Sequence, residues 1–253
     1  MKVYATGTSG MIGSRLKQCL PLRLDLLNLD SFRDVKLEPK STLIHLAGIV
    51  GENKVKANES LARLINVEGT LQLARFIKDY TSCRMLFVSS SHVYAPSSMA
   101  LKENDEVKPF SLYGQHKWEG EQACIRIFSD EPERLQIARV FSVLDIGMPV
   151  GTLGWAIENL SEERPLKNCD DERDFLTPGD VATLLYELTQ RHSKFQIVNV
   201  CSGTFKSVGR ACVDLRERVG KDTAKQLLHP GNSNNPKIIG DRSRLNRILS
   251  SVR

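Results

Sequence analysis

Tyr113 and Lys117 stand four residues apart in the stretch SLYGQHKWEGEQ, residues 111–122, which reads as helix. Positions i and i+4 share one helix face, so an amine lies beside a phenol. Such a pair is either an ordinary helix surface or a proton donor with its partner, and the rest of the chain must decide. Near the N-terminus, Gly7, Gly10 and Gly13 punctuate TGTSGMIG. Their spacing is G-x-x-G-x-x-G rather than G-x-G-x-x-G, yet the physical roles carry over. Gly7 permits a tight turn from strand to helix. Gly10 leaves the backbone bare where a bound group approaches, and Gly13 lets the helix lie close on the sheet. The helix N-terminus then offers free N–H groups and a partial positive charge to a pyrophosphate. The competing reading is a glycine-rich turn with a structural role alone. In the next apolar run, LRLDLL (22–27), a carboxylate would take ribose hydroxyls and an arginine a 2′-phosphate. Asp25 slightly favours NAD, Arg23 keeps NADP open, and either could be a plain surface charge.

These residues need elements to carry them. KVYAT (2–6), LRLDLL, STLIHLA (41–47), RMLFVSS (84–90), LQIARVF (135–141) and FQIVNV (195–200) are strand-like runs. MIGSRLKQCL (11–20), ESLARLINVEGTLQLARFIKDY (59–80) and residues 111–128 have helical spacing. Strands alternating with helices predict an α/β chain with a parallel sheet covered on both faces. After Phe141 the rhythm weakens. Residues 142–177 hold glycines, prolines and the charged CDDERDF, while 202–253 hold a helix-like segment (206–219) and the polar HPGNSNNPK. The expected organisation is a core of residues 1–141 plus 178–201, with a small substrate lobe of 142–177 plus 202–253.

Bulk properties set the class. The 253 residues are 41% hydrophobic and 26% charged, which suits an ordinary globular protein. No apolar run approaches the ~20 residues of a membrane-spanning helix. MKVYATG enters a strand pattern at once, so no secretory signal is expected. Cysteines at 19, 83, 124, 169, 201 and 212 form no C-x-x-C pair. Reduced core thiols in a cytoplasmic protein are expected, without disulfide frame or metal site. A net charge of +5 suits an anionic small molecule, and no dense basic run points to nucleic acid.

TGTSGMIG, HLAG (45–48), NVEGT (66–70), SSSHVY (89–94), YGQHK (113–117) and RDFLTPGDVA (173–182) occur in the order of the extended short-chain dehydrogenase/reductases. More narrowly, the set resembles the NAD-dependent epimerase/dehydratase group that acts on nucleotide sugars. The match runs from residue 1 to about 202, and GDRSRLNRIL resembles that group's closing segment more loosely. The resemblance implies a Rossmann-type, doubly wound parallel sheet with a small C-terminal substrate lobe, binding NAD or NADP. It implies Ser90, Tyr113 and Lys117 as catalytic residues, Ser90 standing three before Val93. A free phenol titrates near 10, and a neighbouring ammonium together with the nicotinamide charge is expected to favour the phenolate. Tyr113 would take a proton from a sugar hydroxyl, or give one to a carbonyl, as hydride moves. Lys117 would also bond the nicotinamide ribose. Cofactor contacts are implied for Ser9, Met11 and Ile12 in the glycine turn, for Leu46, Ala47 and Gly48 behind the adenosine and pyrophosphate, and for Asn66 in the supporting helix. His45 reads as a satisfied core residue. Homodimers through the helices at 59–80 and 111–128 are a further implication.

The departures narrow the reaction. Dehydratases of this group carry Asp-Glu after the catalytic hydroxyl, where this chain has Ser91 and His92. Removing water needs an acid and a base at a neighbouring carbon, so dehydration is not expected. His92 is either a second acid/base or a loop histidine. Ser142 replaces an Asn that meets the substrate. Arg173 either contacts a diphosphate or sugar, or pairs with Asp170 or Asp171. The short chain and trimmed lobe suit a ketoreductase of a nucleotide-linked deoxysugar, or an epimerase with a small pocket. The rival class is a dinucleotide-binding regulator of the same fold without chemistry.

Overall fold

Six short strands pair in parallel: β1 (Val3–Thr6), β2 (Leu24–Leu27), β3 (Thr42–His45), β4 (Arg84–Ser90), β5 (Leu135–Val140) and β6 (Ile197–Val200). The computed structural model describes residues 2–19, 24–27, 36–97, 99–145, 162–167, 169–191, 193–218, 220, 225–231 and 238–251. Spatial order is β6-β5-β4-β3-β1-β2. From β1 the chain passes through α1 (Met11–Cys19) to β2 on one side, then returns to β3 on the other. That reversal opens a crevice outside the carboxyl ends of β1 and β3, where ligands bind in open α/β sheets.

Strand residues alternate between two apolar layers. Val3, Ala5, Ile44, Leu86, Val88, Ala138 and Val140 pack with Leu16 of α1 and with Val181, Leu185 and Leu188 of α6 (Pro178–Thr189). Tyr4, Leu43, Met85, Phe87, Leu135 and Ile137 face Leu73 and Ile77 of α4 (Thr70–Tyr80) and Cys124 of α5 (Leu112–Ile127). Burial on both faces explains why the strands read as continuous apolar runs. Thr177 starts α6 with a capping box to Asp180. The five cysteines with described side chains, Cys83, Cys124, Cys169, Cys201 and Cys212, are free and buried. No helix among the described residues is long and apolar enough to cross a membrane.

Two expected elements are refined. The 59–80 segment is helical but not one regular α-helix. After α3 (Glu59–Arg63) a π-helical turn, Leu64–Gly69, intervenes before α4. The widened turn carries Asn66, which bonds away from its own helix. A further helix, α2 (Glu52–Ala57), precedes it unpredicted. The 206–219 segment begins as strand and becomes α7 (Val208–Arg218). Beyond Phe141 the sheets shrink to two-residue ladders: 142–143 with 175–176, 166–167 with 228–229, and 172–173 with 206–207. Asp174 ties this region together, its carboxylate accepting N–H groups from Ser202 (2.7 Å), Gly203 (3.0 Å) and Gly240 (3.3 Å). The closing helix is α8 (Ser243–Ser250).

Candidate active site

At the end of β1 the chain turns at Gly7 with φ 69°. A Cβ there would stand 2.4 Å from the Ala47 nitrogen, so a side chain would separate the turn from the end of β3. A Cβ on Gly13 would lie 2.4 Å from the Gly7 carbonyl oxygen, which lets α1 settle onto the turn as the spacing predicts. Gly10 donates to Gly7 (3.1 Å) and accepts from Ser14 (2.8 Å). Ser9 and Gly10 are exposed, while Met11 and Ile12 are half-buried. The first N–H groups of α1 lack intrahelical acceptors, and its first turn holds no acidic residue. This cradle fits the pyrophosphate of a dinucleotide. Asp25 pairs with Tyr4 in mid-strand, two residues before the β2 end at Leu27, so the register does not bring it to the strand end. Its side chain and Arg23 lie outside the described residues.

Leu46, Ala47 and Gly48 leave β3 half-buried along the same crevice. Ala47 donates to the Thr6 hydroxyl at 3.3 Å. Asn66 clamps the next residue on both sides: the Ile49 N–H donates to Oδ1 (2.7 Å) and Nδ2 donates to the Ile49 carbonyl (2.9 Å). His45 is fully buried between the hydroxyls of Thr6 (2.7 Å) and Thr70 (3.0 Å). Burial, aided by the Lys117 charge, pushes its pKa down to about 3, so it is the neutral core residue anticipated.

The expected catalytic residues sit where β4 meets α5. Ser90 ends β4, and its Oγ accepts the His92 backbone N–H at 3.2 Å. The Ser90 hydroxyl also lies close enough to Tyr113 to act on its phenol. Ser91 and His92 lie in the 3-10 turn Ser91–Val93. A Cβ on Gly114 would stand within 2.2 Å of the His92 carbonyl oxygen, so glycine lets α5 press onto this turn. Ser111 caps α5, accepting the Gly114 N–H at 3.0 Å. Tyr113 meets the His92 ring edge-on at 5.5 Å, and Phe110 stacks on His92 at 5.1 Å.

Burial dominates the electrostatics of the unliganded site. Burial pushes the Tyr113 phenol up to about 12, and the Ser90 hydrogen bond opposes this only in part. The Lys117 amine does not acidify it. Nζ instead donates to the Val88 carbonyl at 2.9 Å and lies 5.0 Å from the centre of the Phe87 ring. Burial pulls Lys117 down to about 8, with Glu121 acting against that. Desolvation of a phenol disfavours its anion. His92 is lowered by burial, against the Glu52 charge and with the Arg173 charge.

The fold thus gathers Gly7 to Gly13, Leu46 to Gly48, Asn66, Ser90, Tyr113 and Lys117 around one crevice. Arg173 lies close enough for its charge to reach His92, and its Nη2 is 3.9 Å from Asp171. Asp170 instead accepts from Gly231 at 2.9 Å. Ser142 is half-buried in the ladder with Phe175. Glu52, Phe110 and Ser111 were not anticipated. Ser111 carried a signal, an N-cap residue one before the helix; Glu52 carried none, because it reaches the site from 60 residues away.

The chain is 27% identical over 227 residues to GDP-6-deoxy-D-mannose reductase of Pseudomonas aeruginosa, spanning 80% of this chain and 75% of that one. It is 25% identical over 282 residues to GDP-6-deoxy-D-talose 4-dehydrogenase of Aggregatibacter actinomycetemcomitans, spanning 99% and 92%. Its relatives include epimerases as well as reductases. In fold it is similar to RMD from Pseudomonas aeruginosa, solved complexed with NADPH, with TM-score 0.82, 23% identity and coverage of 98% and 92%. Residues 20–201 match the NAD dependent epimerase/dehydratase family, and the chain belongs to that family.

Proposed function

We propose that this protein is an NAD(P)H-dependent ketoreductase of a nucleotide-linked sugar, with Tyr113 as proton donor. One observation carries the reading: Ser90 ends β4, Tyr113 is buried in the first turn of α5, and the Lys117 amine lies near Gly48 and Asn66, behind the glycine turn. Tyr113 gives its proton to the carbonyl oxygen as that oxygen gains charge. A bound reduced dinucleotide supplies the hydride. Ser90 bonds the same substrate oxygen and holds it against the phenol. Lys117, fixed by Val88, presents its amine near Gly48 and Asn66, where a ribose would lie. His92, stacked on Phe110 and linked through Nδ1 to Ser111 (3.2 Å), contacts the sugar. Ser91 and His92 supply no carboxylate pair, which argues against dehydration. Arg173 and Ser142 complete the substrate side. The relatives that act on GDP-6-deoxy sugars support a 6-deoxy keto-sugar as substrate.

The test is absorbance at the nicotinamide band while the protein is incubated with NADH or NADPH and a panel of 4-keto-6-deoxy nucleotide sugars. Consumption of reduced cofactor with at least one sugar is expected. Tightly copurifying oxidised dinucleotide, with inversion of a sugar and no net consumption, would instead assign epimerisation. Binding without turnover of any kind would favour a regulatory role. The same reading includes a homodimer through the helices at 59–80 and 111–128, where Leu61 and Leu64 are 43% and 57% exposed. Sedimentation of Leu64→Glu beside wild type tests it, with loss of the dimer expected.

A further inference from the structure

We infer that Glu52 is a positioning residue for Tyr113, clamping the first turn of α5 to the segment that follows β3. The first N–H groups of α5 have no acceptors within the helix. Ser111 satisfies Gly114, and Glu52 satisfies the two before it. Its Oε1 accepts from Leu112 at 3.4 Å and its Oε2 from Tyr113 at 3.3 Å. A carboxylate at this end also opposes the positive end of the helix dipole. Lys56, one turn further along α2, pairs with the same carboxylate at 3.2 Å. Burial works against the anion, but hydrogen bonds from Tyr113, Lys56 and Leu112 hold the Glu52 carboxyl below its usual value.

The clamp is apolar as well as polar. Val55 of α2 packs with Tyr113, Ala62, Ile49 and Leu112 in one buried cluster. Asn66 pins Ile49 at the other end of the same short segment. Ser90, by contrast, is placed by β4, paired opposite Val140. Phenol and serine therefore arrive on separate elements, and Glu52 fixes the rotation and slide of α5 that set their separation. The hydrogen bonds are long, so the effect falls on alignment more than on stability.

The inference rests on the reading of Tyr113 as proton donor, and the experiment separates the two. Glu52→Ala, Glu52→Gln and Tyr113→Phe are compared for kcat, KM, dinucleotide affinity and hydrogen exchange at residues 112–114. Glu52→Ala is expected to lower kcat on the order of 10- to 100-fold while KM and dinucleotide affinity change by no more than about twofold. Glu52→Gln, which keeps one acceptor, is expected in between. Amides 112 and 113 should exchange faster in Glu52→Ala, while Gly114 stays protected by Ser111. A wild-type kcat in Glu52→Ala beside an inactive Tyr113→Phe overturns the Glu52 assignment alone. Equal losses in kcat and dinucleotide affinity also overturn it, because they mark general support. Full turnover by Tyr113→Phe overturns the proton-donor reading and the inference with it. Should Glu52→Ala not fold, the kcat of Glu52→Gln decides by the same criteria.

Discussion

Ser89 and Ser90 are neighbours at the end of β4, yet they belong to opposite kinds of polar cluster. Ser89 donates to Glu121 at 2.5 Å. Glu121 in turn accepts from both Nε and Nη2 of Arg139, the closest contact being 2.6 Å, and both side chains are at most 1% exposed. Arg139 also lies over the Tyr94 ring at 4.7 Å and donates to the Glu103 carbonyl. Every charge there has its counter-charge, so burial is compensated within the cluster. Around Ser90 the phenol meets no charge that balances it, and burial shows itself as a raised pKa instead. The paired cluster holds α5 on the sheet, while in the proposed mechanism the phenol beside Ser90 is the group that gives up a proton.

Breaking the paired side should cost most. Glu121→Ala leaves Arg139 buried and unpaired, and denaturant unfolding should show a loss of about 3–5 kcal/mol. A loss under about 1 kcal/mol would mean the pair contributes nothing to holding α5. On the other side, Ser90→Ala should reduce turnover on the order of 10²-fold, equivalent to about 2.7 kcal/mol, with stability nearly unchanged. Steady-state kinetics beside thermal melting checks both halves. His45 sharpens the comparison, being buried, satisfied and neutral. The unfolded chain takes up a proton near pH 6.5 that the folded chain refuses until about pH 3. Stability therefore falls as pH drops through that window, by about 2 kcal/mol between roughly pH 7.5 and pH 5. Unfolding at the two pH values in wild type and His45→Gln measures it, and an equal slope in both would remove His45 as the cause. The smallest effect belongs to Ser89→Ala. Glu121 keeps Arg139, so about 1 kcal/mol of stability should go while turnover stays near wild type.

Legibility followed the range of the interactions. In the glycine turn Gly13 answers to backbone atoms of Gly7 and Thr8 a few residues away, whereas Gly7 answers to Ala47 across the sheet; His45 was readable because its neighbours are apolar. Ser90, Tyr113 and Lys117 were readable as an ordered set, although neither spacing nor order disclosed that Lys117 turns to the Val88 carbonyl. That choice depends on how deeply α5 buries the amine. The π-helical turn at Leu64–Gly69 was hidden because helical periodicity looks alike through one widened turn; Asn66 and its two bonds to Ile49 mark it only in three dimensions. Glu52 and the two-residue ladders beyond Phe141 depend on partners tens of residues distant, and no local pattern records them. In β2 the local pattern carries the strand, and the register pairs Asp25 with Tyr4.

The most direct test is the turnover of Tyr113→Phe measured together with its dinucleotide affinity. The account predicts NAD(P)H binding within about twofold of wild type and a kcat lower on the order of 10²- to 10⁴-fold. A Tyr113→Phe protein that binds NAD(P)H normally and reduces the same keto-sugar at the wild-type rate would contradict it.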